Sequence, residues 1–328
     1  MKHPFSRRLA LRGLATAGLA LLASAATAQP AFPTRPIRIV VNTAPGGLVD
    51  IVTRLVAQKM GETLGQSVVI DNRAGGDGLL GIRYVKSQPA DGYTLLSTAG
   101  TIAIQPAVKQ DAGYDPIKDF TAIGPVVRTP VMMVVGADQP DRSAKDFLAR
   151  AKAQPNALSY ASAGVGTTTH IGAAMYLQQA GVQLLHVPYK GNGAAMPDVM
   201  AGRVAMIFEA YGSGAAKVRE GRLRALGVTS NQRIPGLPDV PTLAEQGVPG
   251  FSYYLWIGMF APAGVPKEAA QRLSDALRAA VASKDLAARI ASDGAEAMAM
   301  TSDEFSSFVR DEVQLMNRFV TDLGMPKQ

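Results

Sequence analysis

The sequence predicts a two-domain α/β protein, with parallel sheets covered by helices in two units joined by two crossing strands. Three observations carry this. After Pro36, short β-branched runs alternate with stretches of helical period. Two apolar, β-branched or aromatic stretches, residues 126–135 and 247–259, stand where a Gly/Ser linker would join independent domains, and they read as paired hinge strands. The length of 328 residues, 47% of them hydrophobic, suffices for about two domains with a sizeable core. The same composition excludes a disordered chain, and 18% charged residues exclude a long solvated helix.

Taken in order, Ile37-Arg38-Ile39-Val40-Val41 is the first strand, followed by a Gly-rich turn. A helix comes next, with Ile51, Val52, Leu55, Val56 and Met60 on one face and Gly61 at its end. Residues 68–70 form a second strand, ahead of another Gly-rich turn and a helix through Val85; residues 94–96 and 130–135 are the third and fourth strands. A new round follows: helix 143–153, strand 158–161, helix 168–180 stopped by Gly181, strand 184–187, helix 194–201 stopped by Gly202, and strand 204–208. The C-terminal tail reads as helical. Leu273, Leu277 and Val281 make one core-facing stripe; Phe305, Phe308, Val309, Val313, Met316 and Val320 make another, opened by the capping box Thr301-x-x-Glu304.

The N-terminus reads as an export signal. Lys2, Arg7, Arg8 and Arg12 precede the apolar run 14–26 and the small-residue cleavage pattern Ala26-Thr27-Ala28. That run is too short for the ~20 residues of a spanning helix. Ser6-Arg7-Arg8-Leu9-Ala10-Leu11-Arg12 is similar to a twin-arginine signal, with Ala10 where Phe is usual. Removing residues 1–28 takes away four positive charges and no negative one, so the net +7 of the whole chain becomes +3. The remaining Lys and Arg are interspersed with acids, which argues against a nucleic-acid partner. With no cysteine, disulfides, thiolate metal sites and cysteine nucleophiles are excluded.

Motifs for catalysis are sparse. Gly76-Asp77-Gly78-Leu79-Leu80-Gly81 matches G-x-G-x-x-G after a strand, but the next strand ends in Ser97-Thr98-Ala99, without the acid a dinucleotide ribose requires. After removal of His3 only His170 and His186 remain, at no metal-binding spacing, and no general acid pairs with a general base. His186 sits in a strand-like run and reads as a packed histidine; His170, in a first helical turn, is the better site candidate, and a secreted hydrolase using it is the alternative from another class. No cofactor and no metal are expected.

Three turns share a different chemistry: Thr43-Ala44-Pro45-Gly46-Gly47-Leu48-Val49-Asp50, Ser97-Thr98-Ala99-Gly100-Thr101 and Ser162-Ala163-Gly164-Val165-Gly166-Thr167-Thr168-Thr169-His170. Glycine lets backbone N–H groups face a ligand, a following helix N-terminus adds partial positive charge, and hydroxyls complete the hydrogen bonds. Such turns can hold a carboxylate with little help from Arg or Lys. Each could instead merely cap its helix, with Asp50 answering the dipole and Thr167 or Thr168 as N-cap; three of them on two facing units favour a ligand cleft.

From about residue 33 to 324 the chain resembles the solute receptors of tripartite tricarboxylate transporters, the Bug receptors. The matching stretches are Pro45-Gly46-Gly47-x-x-Asp50, Asp71-Asn72-Arg73-x-Gly75, Pro89-Ala90-Asp91-Gly92-Tyr93-Thr94-Leu95, Tyr160-Ala161-Ser162-x-Gly164-x-Gly166-Thr167 with His170, His186-Val187-Pro188-Tyr189-Lys190-Gly191, Leu237-Pro238-Asp239-Val240-Pro241-Thr242 and Phe260-Ala261-Pro262-Ala263-Gly264-x-Pro266. The resemblance implies a type II periplasmic binding protein: residues 29–128 with 252–328 as one domain, 129–251 as the other, and a small carboxylate held between them. It also implies a periplasmic protein that delivers its ligand to membrane transporter subunits, with presentation to a membrane sensor kinase as the alternative; a monomer is expected. The binding residues expected are Thr43, Pro45, Gly46, Gly47, Leu48, Val49, Asp50, Thr98, Thr101, Ser162, Gly164, Gly166, Thr167, Thr168, His170 and Glu209.

Departures from the family pattern bear on specificity. Leu48-Val49 replaces a common Gly-Thr, Glu209-Ala210 a common Asp-Asn, and Gln105 a common Asn. If these side chains face the cleft, the expected ligand is a monocarboxylate, or an aromatic or aliphatic dicarboxylate with an apolar body.

Overall fold

The computed structural model describes residues 32–292 and 295–322 together with Lys327. The export signal expected at residues 1–28 lies outside the described residues. In chain order, β1 (Ile37–Val41), α1 (Leu48–Leu64), β2 (Val68–Asn72), α2 (Leu79–Lys86), β3 (Thr94–Ala99) and α3 (Thr101–Val108) come first, with a single 3-10 turn at Gly76–Gly78 before α2. The 17-residue β4 (Phe120–Gly136) leads into α4 (Ala144–Ala153), β5 (Ser159–Ser162), α5 (Thr168–Ala180), β6 (Leu185–Pro188) and α6 (Asn192–Met200). β7 (Met206–Ala210), α7 (Tyr211–Arg219) and β8 (Leu223–Val228) complete that half. β9 (Tyr254–Pro262) then returns, followed by α8 (Lys267–Val281), α9 (Lys284–Ser292), the short β10 (Glu296–Ala297) and α10 (Ser302–Asp322).

The strands run in the order β2-β1-β3-β9-β4-β7-β5-β6, with β8 and β10 also paired to β4. Both wings are parallel, as the alternation of strands and helices predicts: Ile39 lies opposite Ile70 and Leu95 in one, and Ala161 opposite Val187 and Ile207 in the other. The centre is antiparallel. β4 pairs with β9 from Phe120↔Pro262 to Pro130↔Tyr254, and farther along the same strand Met132 lies opposite both Glu209 and Val228. β4 therefore serves both α/β domains, which is why residues 126–135 are apolar on both faces: Val126, Val127 and Val131 through Val135 are buried, and only Arg128 reaches solvent.

The core follows the predicted faces. Val52, Val56 and Met60 of α1 and Leu273, Leu277 and Val281 of α8 join one large cluster with the strands. Phe305 and Val309 of α10 pack with Trp256 and Phe260, ring against ring. The Thr301/Glu304 capping box forms in both directions, Thr301 N–H to Glu304 Oε2 at 2.8 Å and Glu304 N–H to Thr301 Oγ1 at 3.2 Å.

Some boundaries differ. Gly61 lies inside α1, where a side chain would come within 3.1 Å of Gln66 O; the helix ends at the left-handed Gly65 instead. α3 is buried nearly all round, so it has no polar face to give it a helical period in the sequence. α7 carries Gly212 and Gly214, which weaken its helical signal in the sequence.

Tyr176 is fully enclosed, its ring against Phe208 and Phe251, and its hydroxyl has no partner among the described residues. Because an unpaired buried hydroxyl costs free energy, Tyr176→Phe is expected to raise stability by about 1 kcal/mol, read as a higher denaturant midpoint at unchanged slope.

Candidate functional site

The three glycine-hydroxyl turns sit at the carboxyl ends of β1, β3 and β5, each leading into a helix, α1, α3 or α5. None of those three helices has a side chain on its first-turn N–H groups: Gly47 and Gly100 have none to offer, and the Thr167 hydroxyl donates to Gly164 O at 2.7 Å instead. Helix α4 is closed by Ser143 Oγ, which accepts from Asp146 N–H, whereas α2, α6, α7 and α8 lack a side-chain cap as these three do. The three uncapped ends are donor sets with partial positive charge.

In the first turn, Asp50 is an internal brace. Its buried carboxylate accepts from Gly46 N–H at 2.9 Å, Asn72 Nδ2 at 2.9 Å and Arg54 Nε at 3.1 Å. Burial alone would raise its pKa, but these hydrogen bonds and the Arg54 charge outweigh burial and hold the carboxyl below its ordinary value. Asn72 also donates to Thr43 O, so one amide fixes both ends of the turn. Pro45 and Gly46 are exposed on its rim. Val49 is buried in the core, whereas Leu48 is half-buried and lines an apolar recess with Ile51, Val127, Thr129 and Gly212.

In the second turn, Ser97 Oγ is 2.7 Å from Thr53 Oγ1 of α1, tying this turn to the first, and Thr98 and Thr101 are buried. Gly100 donates to Trp256 O at 3.1 Å, and a side chain on Gly100 would come within 3.3 Å of Thr168. The second and third turns are thus in near contact.

The third turn is the most enclosed. Ser162 Oγ accepts from Gly164 N–H at 3.1 Å and lies 2.7 Å from His186 Nε2. His170 Nδ1 accepts from Gly166 N–H at 3.1 Å, which places the ring proton on Nε2. The two imidazoles stack with centroids 4.0 Å apart, and Tyr160 stacks on His186 at 4.8 Å. Burial pushes His170 down to about 3, with the neighbouring His186 adding to the shift; burial pushes His186 down to about 4 against a counter-effect from Asp77. Both rings are neutral at pH 7. His186 is packed and hydrogen-bonded as its strand position suggests, and it closes the same turn as His170.

Glu209 braces this turn from outside. It is buried, accepts from Asn192 Nδ2 at 2.6 Å and from the Ser213 hydroxyl, and Asn192 Oδ1 in turn accepts from Thr169 Oγ1. Burial raises its pKa despite these bonds and Lys217.

Residues outside the expected set join the two halves. Gln105 Nε2 donates to Asp77 O at 3.1 Å on its own side and to Val165 O at 2.9 Å on the other. Asp77, in left-handed backbone at φ 56°, pairs with Lys109 at 2.9 Å and faces Gly164. The Gly76–Gly81 turn is therefore a contact between the halves. Nothing local in the sequence announces this, because its partners lie far along the chain. Three buried polar atoms here have no partner among the described residues: Asn42 Oδ1, Thr43 Oγ1 and Gln105 Oε1. Arg54 and Lys109, the cations at these turns, are each paired with a carboxylate.

Comparison with known proteins gives the family and the fold. Residues 52–325 match the model of the tripartite tricarboxylate transporter family receptor. A protein encoded in the tcbD–tcbE intergenic region of Pseudomonas sp. strain P51 is 37% identical over 96% of this chain and 94% of its own. A Rhodopseudomonas palustris protein solved with adipate superposes with a TM-score of 0.85 at 32% identity, covering 89% of this chain and 98% of that one. The malate-bound MatC of the same organism gives 0.83 at 29%, covering 88% and 100%.

Proposed function

The chain belongs to the tripartite tricarboxylate transporter receptor family, and from that premise we propose that it captures a small organic carboxylate between its two domains in the periplasm and hands it to membrane transporter subunits. The family is one of receptors, not enzymes, which leaves His170 a structural part of the third turn. What supports the reading is that three helix N-termini without side-chain caps follow turns tied to one another, Ser97 to Thr53 and Gly100 against Thr168, beside three buried polar atoms without a partner among the described residues; we take these turns as one ligand mouth. The adipate and malate bound to related structures support the ligand class.

The domains are taken as residues 29–128 with 252–328 and residues 129–251, closing about the two crossings. Ligand would meet the first-turn backbone N–H groups of Leu48 to Asp50, Thr101 and Ile102, and Thr168 to His170, since those of Gly46, Gly164, Gly166 and Thr167 are taken up within their own turns. Side chains such as Asp50, Ser162, Thr167 and Glu209 hold those turns in shape. Micromolar affinity requires about 8 kcal/mol; a few charge-assisted hydrogen bonds at about 1.5–3 kcal/mol each, in a cleft that excludes water, supply it after the cost of closure.

We take Leu48, half-buried in an apolar recess, as facing the ligand and favouring one with an apolar body over a citrate-like one. Calorimetric titration with adipate, malate, citrate and aromatic acids tests this: tight binding of an acid with an apolar body is expected, and tight binding of citrate with none of the apolar acids refutes it. Recovery of transporter subunits rather than a sensor kinase in a ligand-dependent pull-down tests delivery. N-terminal sequencing of the exported protein should begin at Gln29.

A further inference from the structure

A recess of about 500 Å³ opens between the second crossing, α5, β10 and α10. That volume suits a small molecule. Its walls are aromatic and thioether: Tyr253, Trp256, Phe308, Met175 and Met316. The one carboxylate among them that lacks a cation is Glu312, whose Oε2 accepts from Trp256 Nε1 at 2.9 Å. No Lys or Arg pairs with Glu312 among the described residues. The nearby cation, Arg128 at the rim, is engaged by Glu296 at 2.5 Å and lies over the Tyr254 ring, 5.1 Å from its centroid. Burial, and to a lesser degree the charge of Asp311, raise the Glu312 pKa.

A carboxylate ligand would be repelled here, so this recess does not duplicate the three-turn mouth. A carboxylate with no cation partner among the described residues, in a recess lined by aromatic and thioether side chains, is instead a surrounding that suits an organic cation: Glu312 offers a countercharge and the apolar side chains pack against the ion's hydrocarbon body. The recess is also joined to the mouth. Trp256 O receives Gly100 N–H, and Tyr253 OH donates to Thr168 O at 2.7 Å, so its two aromatic walls each grip one of the turns.

We propose that the recess bounded by Trp256, Phe308, Met175 and Glu312 is a second small-molecule site, and that it takes an organic ammonium ion with an apolar body. Trp256 is the only tryptophan in the chain, so its emission reads occupancy directly. Titration of the full-length protein with benzyltrimethylammonium chloride is expected to give a saturable change in that emission, and the neutral benzyl alcohol none at the same concentrations. In Glu312→Gln, whose amide oxygen still accepts the indole N–H, the apparent affinity should fall about tenfold or more, equivalent to about 1.4 kcal/mol. Met175→Lys, at a half-buried position, supplies an ammonium from the chain itself and should abolish the response; it serves as the test if Glu312→Gln does not fold. No saturable change in the wild type, equal binding of benzyl alcohol, or an unchanged affinity in the folded variants overturns the proposal. None of these outcomes depends on whether the three-turn mouth binds carboxylates.

Discussion

Gly166→Ala is expected to weaken carboxylate binding by tenfold to a hundredfold, about 1–3 kcal/mol. Two penalties act at this position, and they separate cleanly. Gly166 has φ 70°, so any side chain there is strained whether the domains are apart or together. A Cβ would also lie 2.4 Å from Val108 Cγ2 and 3.1 Å from Gln105 Nε2, both on the opposite half, and that clash exists only when the halves meet. The first penalty lowers stability; the second lowers affinity. Gly181→Ala is the matched control: φ is 67° and nothing lies within 4 Å of the added carbon. It should lose about 1 kcal/mol of stability and bind ligand as the wild type does. Equal dissociation constants for Gly166→Ala and wild type would mean that these loops do not approach each other in the liganded protein.

Acid should draw stability from the protein through its two buried histidines. The folded pKa values of His170 and His186, about 3 and about 4, lie below the ordinary 6.5. Above pH 6.5 both rings are neutral in folded and unfolded chains alike and stability is complete. As pH falls below 6.5 the unfolded chain takes up protons that the folded chain refuses, so stability declines until about pH 4 for His186 and about pH 3 for His170. The slope is about 1.4 kcal/mol per pH unit for a fully buried histidine, so His170 alone accounts for about 2 kcal/mol between pH 7 and pH 5; His186 is only part-buried and contributes less. Glu209 and Glu312, with raised values, act in the opposite direction, so the informative quantity is a difference. Denaturant unfolding of wild type and His170→Gln at pH 7 and pH 5 should show the variant losing less stability on acidification. Equal losses would mean that His170 is hydrated or charged in the folded state.

Much of this architecture was legible in the sequence, for a definite reason. Strands such as Ile37–Val41 and helices such as Thr168–Ala180 carry their own punctuation in β-branched runs and a stopping Gly181, and the glycine-hydroxyl turns are contiguous. What stayed hidden depends on residues far apart in the chain. Gln105 meets Val165 across 60 positions, and Asp77 meets Lys109 and Gly164 only once the halves are assembled. The roles of individual side chains were hidden in the same way. Val49 and Leu48 are adjacent in a ligand-like loop, yet one is buried in the core and the other is half-buried in an apolar recess beside it. Ser162 and Thr167 read as ligand donors, but both hydroxyls are engaged with the backbone of their own turn.

In the proposed mode of capture, uncapped backbone amides, rather than Arg or Lys side chains, hold the anion. The most direct measurement is an amide-resolved NMR titration with the organic acid that binds best by calorimetry. The largest shifts should fall on the first-turn N–H groups of three helices, Leu48 and Val49, Thr101 and Ile102, and Thr168 and Thr169. Saturable binding that leaves those amides unmoved, with the shifts gathered around cationic side chains elsewhere, would contradict it.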